Sequence, residues 1–244
     1  MVVNKVIYDN NTLIDLSGDN VRASDVAQGR TFHLPDGSAS TGTLVQVTND
    51  LIPFINNTLT SLDLNDVSVY SLGAYTCYYK DALTAVNAPY VMWINEYCFY
   101  GCSNLATANF PQVQTVNKWA LSSCGFTTLS LPEIRNIYPA AFNSCGSLTR
   151  LTLGSHLTDI YTYDWLENEN KAPFGWCNAL EELVINATTP PTLQNARLFN
   201  NDDSGIGYAM TNFRGIFVGG DVNTWKQSTN WSAYSNYLFS INDL

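Results

Sequence analysis

Residues able to carry out acid–base or nucleophilic chemistry are few in this chain and far apart. It holds only two histidines, His33 and His156, and neither accompanies a serine or cysteine nucleophile motif. Nucleophilic catalysis needs a base beside the nucleophile, so isolated histidines do not indicate it. Glu181 and Glu182 would point to opposite faces of a strand, and we expect both to be solvated rather than paired for glycoside chemistry. The sequence therefore predicts no catalytic residue and a protein that is not an enzyme.

The sequence also contains no strong metal-binding pattern. No Cys-x-x-Cys pair is present, and two histidines offer little to complete a zinc site. Oxygen ligands of the kind calcium prefers occur at Asp164, Glu167 and Glu169 and at positions 201–203, but neither cluster follows the regular calcium-loop pattern. We predict no metal and no cofactor. Calcium binding by the first cluster stays an open alternative to an ordinary acidic loop.

The cysteines instead mark a repeat. Units begin at Phe99, Leu121, Phe142 and Phe174, at steps of 22, 21 and 32 residues, and three apolar positions follow each start. A period in the twenties is typical of a solenoid, in which each unit buries its apolar face against its neighbours. Recurrence at one position predicts a structural ladder of buried free thiols. Its members are Cys102, Cys124, Cys145 and Cys177.

Two earlier units extend the repeat to about six rungs over residues 50–190. They start at Phe54 and Tyr78, with Asn57 and Asp81 in place of the cysteine, and Cys77 is assigned to the same position as Cys98. Most rungs contain two short apolar runs, the first commonly ended by proline, which stops a strand. We predict that each run forms a short strand, paired in parallel with its copies.

Three segments follow from this pattern. Residues 1–45 lack the repeat and predict a small β-rich module, with strands at Lys5–Tyr8 and Thr12–Leu16, one or two helical turns from Val21 to Gln28 and a turn at Pro35–Gly37. Residues 46–192 form the solenoid, interrupted by an insertion at 161–171. Residues 193–244 predict a cap with a strand at Gly215–Val218 and two short helical pieces.

Aromatic residues are the strongest candidates for a binding surface. Tyr97 and Trp119 share one repeat position, and Tyr79 and Tyr100 are assigned to another. Stacked rungs would align such residues in rows, and exposed aromatic patches often mark sites for sugars or proteins. The alternative is that these rings only cover the rung edges and pack the insertion. The insertion adds three further candidates, Tyr161, Tyr163 and Trp165.

The composition of the chain argues against two classes of binding partner. A formal net charge of −10 and scattered basic residues argue against nucleic acid. No apolar run reaches the roughly 20 residues needed to span a bilayer, so membrane insertion is not expected. The start, Met1–Lys5, leads into a polar stretch rather than a signal-type apolar run. Whether the chain forms a homo-oligomer is open, because no coiled-coil pattern is present.

The pattern Ala-Phe-x-x-Cys-x-x-Leu-x-x-Leu-x-Leu-Pro resembles the BspA-type leucine-rich repeat of bacterial and protozoan surface proteins. Its best copy is Ala141–Leu153, and Thr189–Pro191, Gly215–Val218 and Asn230–Tyr234 are similar to the family's closing unit. The resemblance covers residues 50–240. It departs from the family where Asn57 and Asp81 replace cysteine, where Leu121 replaces the aromatic residue, and in the insertion. It implies a mainly β, right-handed leucine-rich-repeat solenoid of short parallel strands with an α/β cap.

The N-terminal segments Asn4–Ser17, Val21–Gly29 and Arg30–Thr43 resemble a short module repeated in tail and other virion proteins of phages of Gram-positive bacteria. This resemblance implies a virion protein of the tail, baseplate or capsid. The module would dock onto other virion proteins, and the solenoid would bind a host-surface glycan or protein. Two alternatives stay open: a secreted bacterial surface adhesin of the BspA type, at the cell surface or extracellular, and a purely architectural decoration protein.

Overall fold

The computed structural model describes the backbone of residues 5–8, 11–15, 31–33 and 39–41, and then residues 58–65, 69–164, 169–200 and 210–244. From residue 58 onward the chain coils into a mainly β leucine-rich-repeat solenoid with an α/β cap, as the repeat predicted. Successive rungs stack through parallel strand pairs, and a continuous apolar core runs from Leu62 to Leu238.

One face of the solenoid is a continuous six-stranded parallel sheet. Each strand has two residues, and its second side chain is buried against the core, in keeping with side-chain alternation along a strand. These strands are the predicted second runs of the rungs. In spatial order they are Ser71–Leu72, Trp93–Ile94, Thr115–Val116, Asn136–Ile137, Asp159–Ile160 and Thr192–Leu193.

The other face consists of two separate parallel sheets. A three-stranded sheet contains Ser61–Asp63, Ala85–Asn87 and Thr107–Asn109. A five-stranded sheet contains Thr128–Leu131, Arg150–Leu153, Glu182–Ile185, Gly215–Val218 and Leu238–Ser240. No ladder joins Thr107–Asn109 to Thr128–Leu131, although they belong to consecutive rungs.

A one-residue deletion accounts for this break. Two residues lie between Cys102 and Leu105 and between Cys145 and Leu148, but only one lies between Cys124 and Phe126. The longer turns close with a backbone bond between these residues, such as Leu148 N–H to Cys145 O at 3.1 Å, and the described backbone shows no counterpart at Phe126. Gly125 lies so near the preceding turn that an added Cβ would be 2.3 Å from Ser103 O. The shortened turn therefore brings its strand in out of register.

Buried thiols connect the rungs inside the turns. All six cysteines are free and buried. In four of them the thiol donates to a backbone carbonyl of the preceding rung, at 2.9–3.2 Å. We call these four the thiol ladder; the pairs are Cys102 to Cys77 O, Cys124 to Phe99 O, Cys145 to Leu121 O and Cys177 to Phe142 O.

The ladder corrects the predicted register of one rung. Cys77, not Tyr78, holds the core position of Phe99, because both residues accept a thiol from the next rung. Tyr78 is consequently 38% exposed instead of buried. The positions after it shift as well, so that Asp81 corresponds to Ser103 rather than to Cys102, and the two side chains hydrogen-bond at 3.0 Å. The start assigned to Phe54, with Asn57, lies outside the described residues.

Glu182 differs from its prediction too. It is buried rather than solvated, and it pairs with Arg150 at 2.9 Å and with Arg214. Two guanidinium groups around one carboxylate supply the hydrogen bonds that a buried charge requires. This cluster lies on the outer side of the five-stranded sheet.

The two ends have structure of their own. The first 45 residues contain two antiparallel hairpins, Lys5–Tyr8 with Asn11–Asp15 and Thr31–His33 with Ala39–Thr41; the predicted helical turns at 21–28 lie outside the described residues. The cap holds an α-helix, Val222–Gln227, and 3-10 helices at Trp231–Tyr237 and Ile241–Asp243. Trp225 in the α-helix and Trp231 in the first 3-10 helix are both buried.

Candidate functional site

The turn at one corner of the rungs contains two positions with left-handed backbone, both of them occupied so in the four rungs from Tyr75 to Ser144. The first such position holds Tyr75, Tyr97, Trp119 and Ala140, and the second holds Tyr79, Gly101, Ser123, Ser144 and Trp176. Backbone bonds stack the turns in register, for example Tyr75 N–H to Glu96 O and Tyr97 N–H to Lys118 O, each at 3.1 Å. Equivalent side chains therefore stand in rows along the solenoid.

The first position forms a stack of three rings. Tyr75 and Tyr97 are nearly parallel, with centroids 5.0 Å apart, and Tyr97 stacks on Trp119 at 6.3 Å. Lys171 places its ammonium 5.9 Å from the centroid of the Trp119 ring, a cation–π contact. The indole Nε1 of Trp119 is buried and has no hydrogen-bond partner within the described chain.

A second group of tyrosines packs beside this stack. Tyr78 lies parallel to Tyr100 at 5.4 Å, and Tyr79 meets both of these rings edge-on, at 4.6 and 5.3 Å. Tyr100 also contacts the first stack through Trp119 at 5.9 Å. These rings form one continuous surface, which we call the aromatic corner: Tyr75, Tyr78, Tyr79, Tyr97, Tyr100 and Trp119.

The corner is partly exposed, and its six side chains are uncharged. Tyr75 is 49% exposed and Tyr79 is 52% exposed. Desolvation by the neighbouring rings raises the pKa of Tyr78 and of Tyr100, and the nearby tyrosines raise it further. Both phenols, like tyrosines in general, are neutral at physiological pH and can donate hydrogen bonds. A ligand would meet a set of aromatic rings bearing hydroxyl groups.

The backbone does not require aromatic residues here. Left-handed conformation costs about 1–2 kcal/mol for a residue with a side chain, and bulky residues are unusual in it. The next rung fills the second position with Gly101, which adopts this conformation without the penalty. Ring stacking contributes about 0.5–1.5 kcal/mol per pair, and each of these rings meets two or more others, so stacking compensates for the strain. Tyr75, Tyr79, Tyr97 and Trp119 thus hold strained backbone positions that contacts between rings stabilise, and such strain often clusters at ligand-binding sites.

Gly101 shows how closely the corner is packed. Its φ is +75°, and a Cβ added there would lie 2.5 Å from the ring of Tyr79. Glycine at this position lets the Tyr79 ring rest directly on the backbone of the next rung. The ring thereby gains a fixed orientation despite its exposure.

The aromatic rows end at Trp119 in the first position and at Tyr100 in the neighbouring row. Ala140 follows Trp119 at the first position and is fully buried, and Ser122 and Asn143 follow Tyr100 in the neighbouring row. Ser122 donates to the backbone oxygen of Asn143 at 2.7 Å, so small polar groups replace rings there. One aromatic residue reappears two rungs beyond Trp119, where Trp176 is 67% exposed.

The insertion is anchored next to the corner. It forms a hairpin of Tyr163–Asp164 and Glu169–Asn170, and Lys171 N–H donates to Thr162 O at 2.7 Å at its base. The Gln194 side-chain oxygen accepts the N–H groups of Thr162 and Tyr163, at 3.0 and 2.8 Å. Lys171 thus joins the insertion to the corner through its contact with Trp119.

The structure gathers some predicted binding residues and separates others. Tyr79, Tyr97, Tyr100 and Trp119 belong to the aromatic corner, although Tyr79 aligns with Gly101 and not, as predicted, with Tyr100. Tyr161 stacks on Tyr138 at 4.7 Å in a different row, and Tyr163 opens the hairpin. Trp165 lies outside the described residues.

Sequence reasoning missed other members. Tyr75 and Tyr78 belong to the corner, and Lys171 closes its stack. The 22-residue step back from Tyr97 and Tyr100 would have found both tyrosines. No sequence signal pointed to Lys171, because its place follows from the path of the insertion.

Other candidate chemistry finds little support. The imidazole Nδ1 of His156 lies 3.2 Å from a Glu133 carboxylate oxygen in an exposed pair, and His33 lies in an N-terminal strand. Within the described residues, no cluster of three metal-ligand side chains is present. The side chains of both predicted calcium clusters lie outside the described part of the chain. Over that same part, no helix combines the length and apolarity needed to cross a membrane.

Comparison with known proteins agrees with this architecture. Residues 70–172 match the family model of the BspA type leucine rich repeat region, in six copies. No curated protein matches. A solved structure, the leucine rich repeat protein of T. pallidum, is similar over 79% of each chain, with 16% sequence identity and a TM-score of 0.48. The family matched is one of binding proteins, and no enzyme family is indicated.

Proposed function

We propose that this chain is a non-enzymatic recognition protein whose aromatic corner binds a glycan or protein on a host surface. A leucine-rich-repeat solenoid is suited to binding or adhesion, because its rungs present side chains in register on a rigid frame. The observation that carries the proposal is the row of large, partly exposed rings at left-handed turn positions, where glycine would avoid the strain.

Tyrosine and tryptophan suit such a surface. They offer a large, rigid contact area with few rotatable bonds and a polar group at the rim, and for this reason they dominate many binding sites. Neighbouring rings hold those of the aromatic corner in place before a ligand arrives, which lowers the entropy lost on binding.

For the setting, we propose a phage virion. Support comes from the likeness of residues 1–45 to virion modules and from the two hairpins found there. The module would bind other virion proteins, and the copies on a particle would supply avidity for a weak surface contact. The BspA-type repeat favours a secreted bacterial adhesin equally well, and the same corner would then bind from the cell surface.

Binding assays test the corner. The full chain is labelled and its binding to candidate host cells is compared with that of Tyr97→Ala and Trp119→Ala. We expect each variant to lose roughly tenfold or more in affinity, since hot-spot aromatics contribute about 2 kcal/mol or more. The matched controls are Tyr90→Ala and Trp93→Ala, whose rings are 46% and 40% exposed outside the corner. Equal loss in controls and variants, or no loss in either, would refute the role of the corner.

Fractionation of purified particles tests the setting. Finding the protein at a distal tail position supports the virion proposal. Finding it on bacterial envelopes without particles supports the adhesin. A position between shell subunits, with the aromatic corner buried, would support the architectural alternative and exclude host binding.

A further inference from the structure

The break between the two sheets opens a cleft of about 540 Å³ on the opposite face from the six-stranded sheet. We call it the sheet-break cleft. The three-stranded sheet contributes Asn109 and Phe110, and the five-stranded sheet contributes Thr128, Ser130 and Thr152. It arises where the shortened turn at Gly125 prevents strand pairing, so its position is set by one deletion in the repeat.

The lining is mixed in character. Asn109, Thr128 and Ser130 are exposed and present amide and hydroxyl groups on short side chains. Beneath them Phe110 and Leu129 are buried and supply an apolar base. Short polar groups over an apolar base match the two faces of a sugar ring, which carries hydroxyls at its rim and C–H groups on its faces.

One lining residue adds charge. Arg150 has 44% of its side chain exposed, and its Nη1 lies 2.9 Å from the buried Glu182 carboxylate. Arg214 pairs with the same carboxylate, so two guanidinium groups share one negative charge and the local balance is positive. The contact with Glu182 uses Nη1 of Arg150, so the other N–H groups of its planar guanidinium can bind a second carboxylate.

From this arrangement we propose that the sheet-break cleft binds an acidic sugar residue, with its carboxylate on Arg150 and its hydroxyls on Asn109, Thr128 and Ser130. The site is separate from the aromatic corner and does not depend on it. Because the cleft is open and shallow, we expect a dissociation constant on the order of 1 mM for a single sugar. Repetition along an acidic polysaccharide would strengthen attachment through avidity.

Chemical-shift mapping of the full ¹⁵N-labelled chain tests the proposal, with D-glucuronate as the probe and D-glucose as the neutral control. Glucuronate should shift the amides of Asn109, Thr128, Ser130 and Thr152, and glucose should bind about tenfold more weakly because it lacks the charge-assisted contact. Equal shifts with both sugars would overturn carboxylate recognition. Shifts elsewhere, or none, would overturn the site.

Two pairs of variants sharpen the result. Ser130→Phe fills the cleft and should abolish the shifts, whereas Ser61→Phe, at an exposed strand position outside it, should not. Arg150→Gln should weaken glucuronate about tenfold and leave glucose unchanged; Arg214 still pairs with Glu182, and thermal unfolding verifies that the variant folds. Tyr97→Ala should retain the shifts, so failure of the aromatic corner and failure of the cleft give different results.

Discussion

The inner and outer sides of the same turns differ in what they tolerate. On the inside, Cys102, Cys124, Cys145 and Cys177 repeat one residue type, and each thiol reaches back to the rung before it. On the outside, the equivalent positions range from tyrosine and tryptophan to glycine, serine and alanine.

This contrast distinguishes the buried interior of the turns, which maintains the fold, from their outer side chains, which form the candidate binding surface. Stacking at a fixed rung spacing leaves room for one small buried residue inside each turn, and close packing penalises any change in its volume. Outside, the backbone accepts many side chains, so the choice of six aromatic rings is free to serve binding. The predictions that follow test this division, from the largest expected effect to the smallest.

Removing an inner ring should have the largest effect. Phe142 is fully buried and stacks on Phe174 with centroids 5.7 Å apart. Phe142→Ala should lower the free energy of unfolding by about 3–5 kcal/mol, since it opens a cavity that neighbouring rungs cannot fill. Urea unfolding measures this. Tyr79→Ala, on the outer side, serves as the control and should cost about 1 kcal/mol or less. Similar losses of unfolding free energy in the two variants would contradict the distinction between the inner and outer sides of the turns.

The cysteines of the thiol ladder should differ in how much they contribute to the free energy of unfolding. In the described chain the Leu121 carbonyl receives only the Cys145 thiol, at 3.1 Å, whereas Phe99 O also accepts Cys102 N–H at 3.1 Å. Cys145→Ala therefore leaves a buried carbonyl unsatisfied, which adds about 1–3 kcal/mol to the loss of unfolding free energy. Cys124→Ala leaves Phe99 O with a partner and should cost less by that amount. Equal costs in urea unfolding would show that the thiols only fill space.

Alkaline pH should weaken the inner side. Burial raises the pKa of Cys102 from its ordinary 9.0 to about 12, and burial also raises the pKa of Cys77. In the unfolded chain these thiols lose their protons above about pH 9, while in the folded chain they stay protonated. Their contribution to stability is thus complete below pH 9.0 and is lost as pH rises toward about 12.

Unfolding free energies measured across that range should decline, and thiol labelling of the native protein should stay slow until it unfolds. Rapid labelling of all six cysteines without unfolding would contradict the buried ladder. Cys102→Ala provides the control, because it should flatten part of the decline.

The smallest effect concerns backbone strain in the aromatic corner. Tyr75 has a φ of +61°, so Tyr75→Gly should be more stable than Tyr75→Ala by about 1 kcal/mol, because glycine adopts this conformation without penalty. Thermal unfolding of the two variants gives the difference. At Tyr78, which lies outside the left-handed region, alanine should be at least as stable as glycine. Host-cell binding should fall equally in Tyr75→Gly and Tyr75→Ala.

Much of the fold could be predicted, and less of the site. Apolar spacing and proline stops predict the two runs per rung, the cap strand and the cap helices. They do so because each rung repeats the same pattern of buried positions. The register of the rung at Tyr78 was wrong by one residue, since Cys77 is smaller than the aromatic side chain usual at its position. Glu182 was misjudged because its partners, Arg150 and Arg214, come from neighbouring rungs.

The sequence by itself determined the solenoid, its period and the inward position of the cysteines, because a repeat of this length buries its apolar positions only by stacking. Only the tertiary structure decided which aromatic rings meet, that Lys171 lies over Trp119, and that a turn shortened at Gly125 splits one face into two sheets. These features depend on how neighbouring rungs align in space. A shift of one residue within a single rung changes that alignment while leaving the repeat pattern readable.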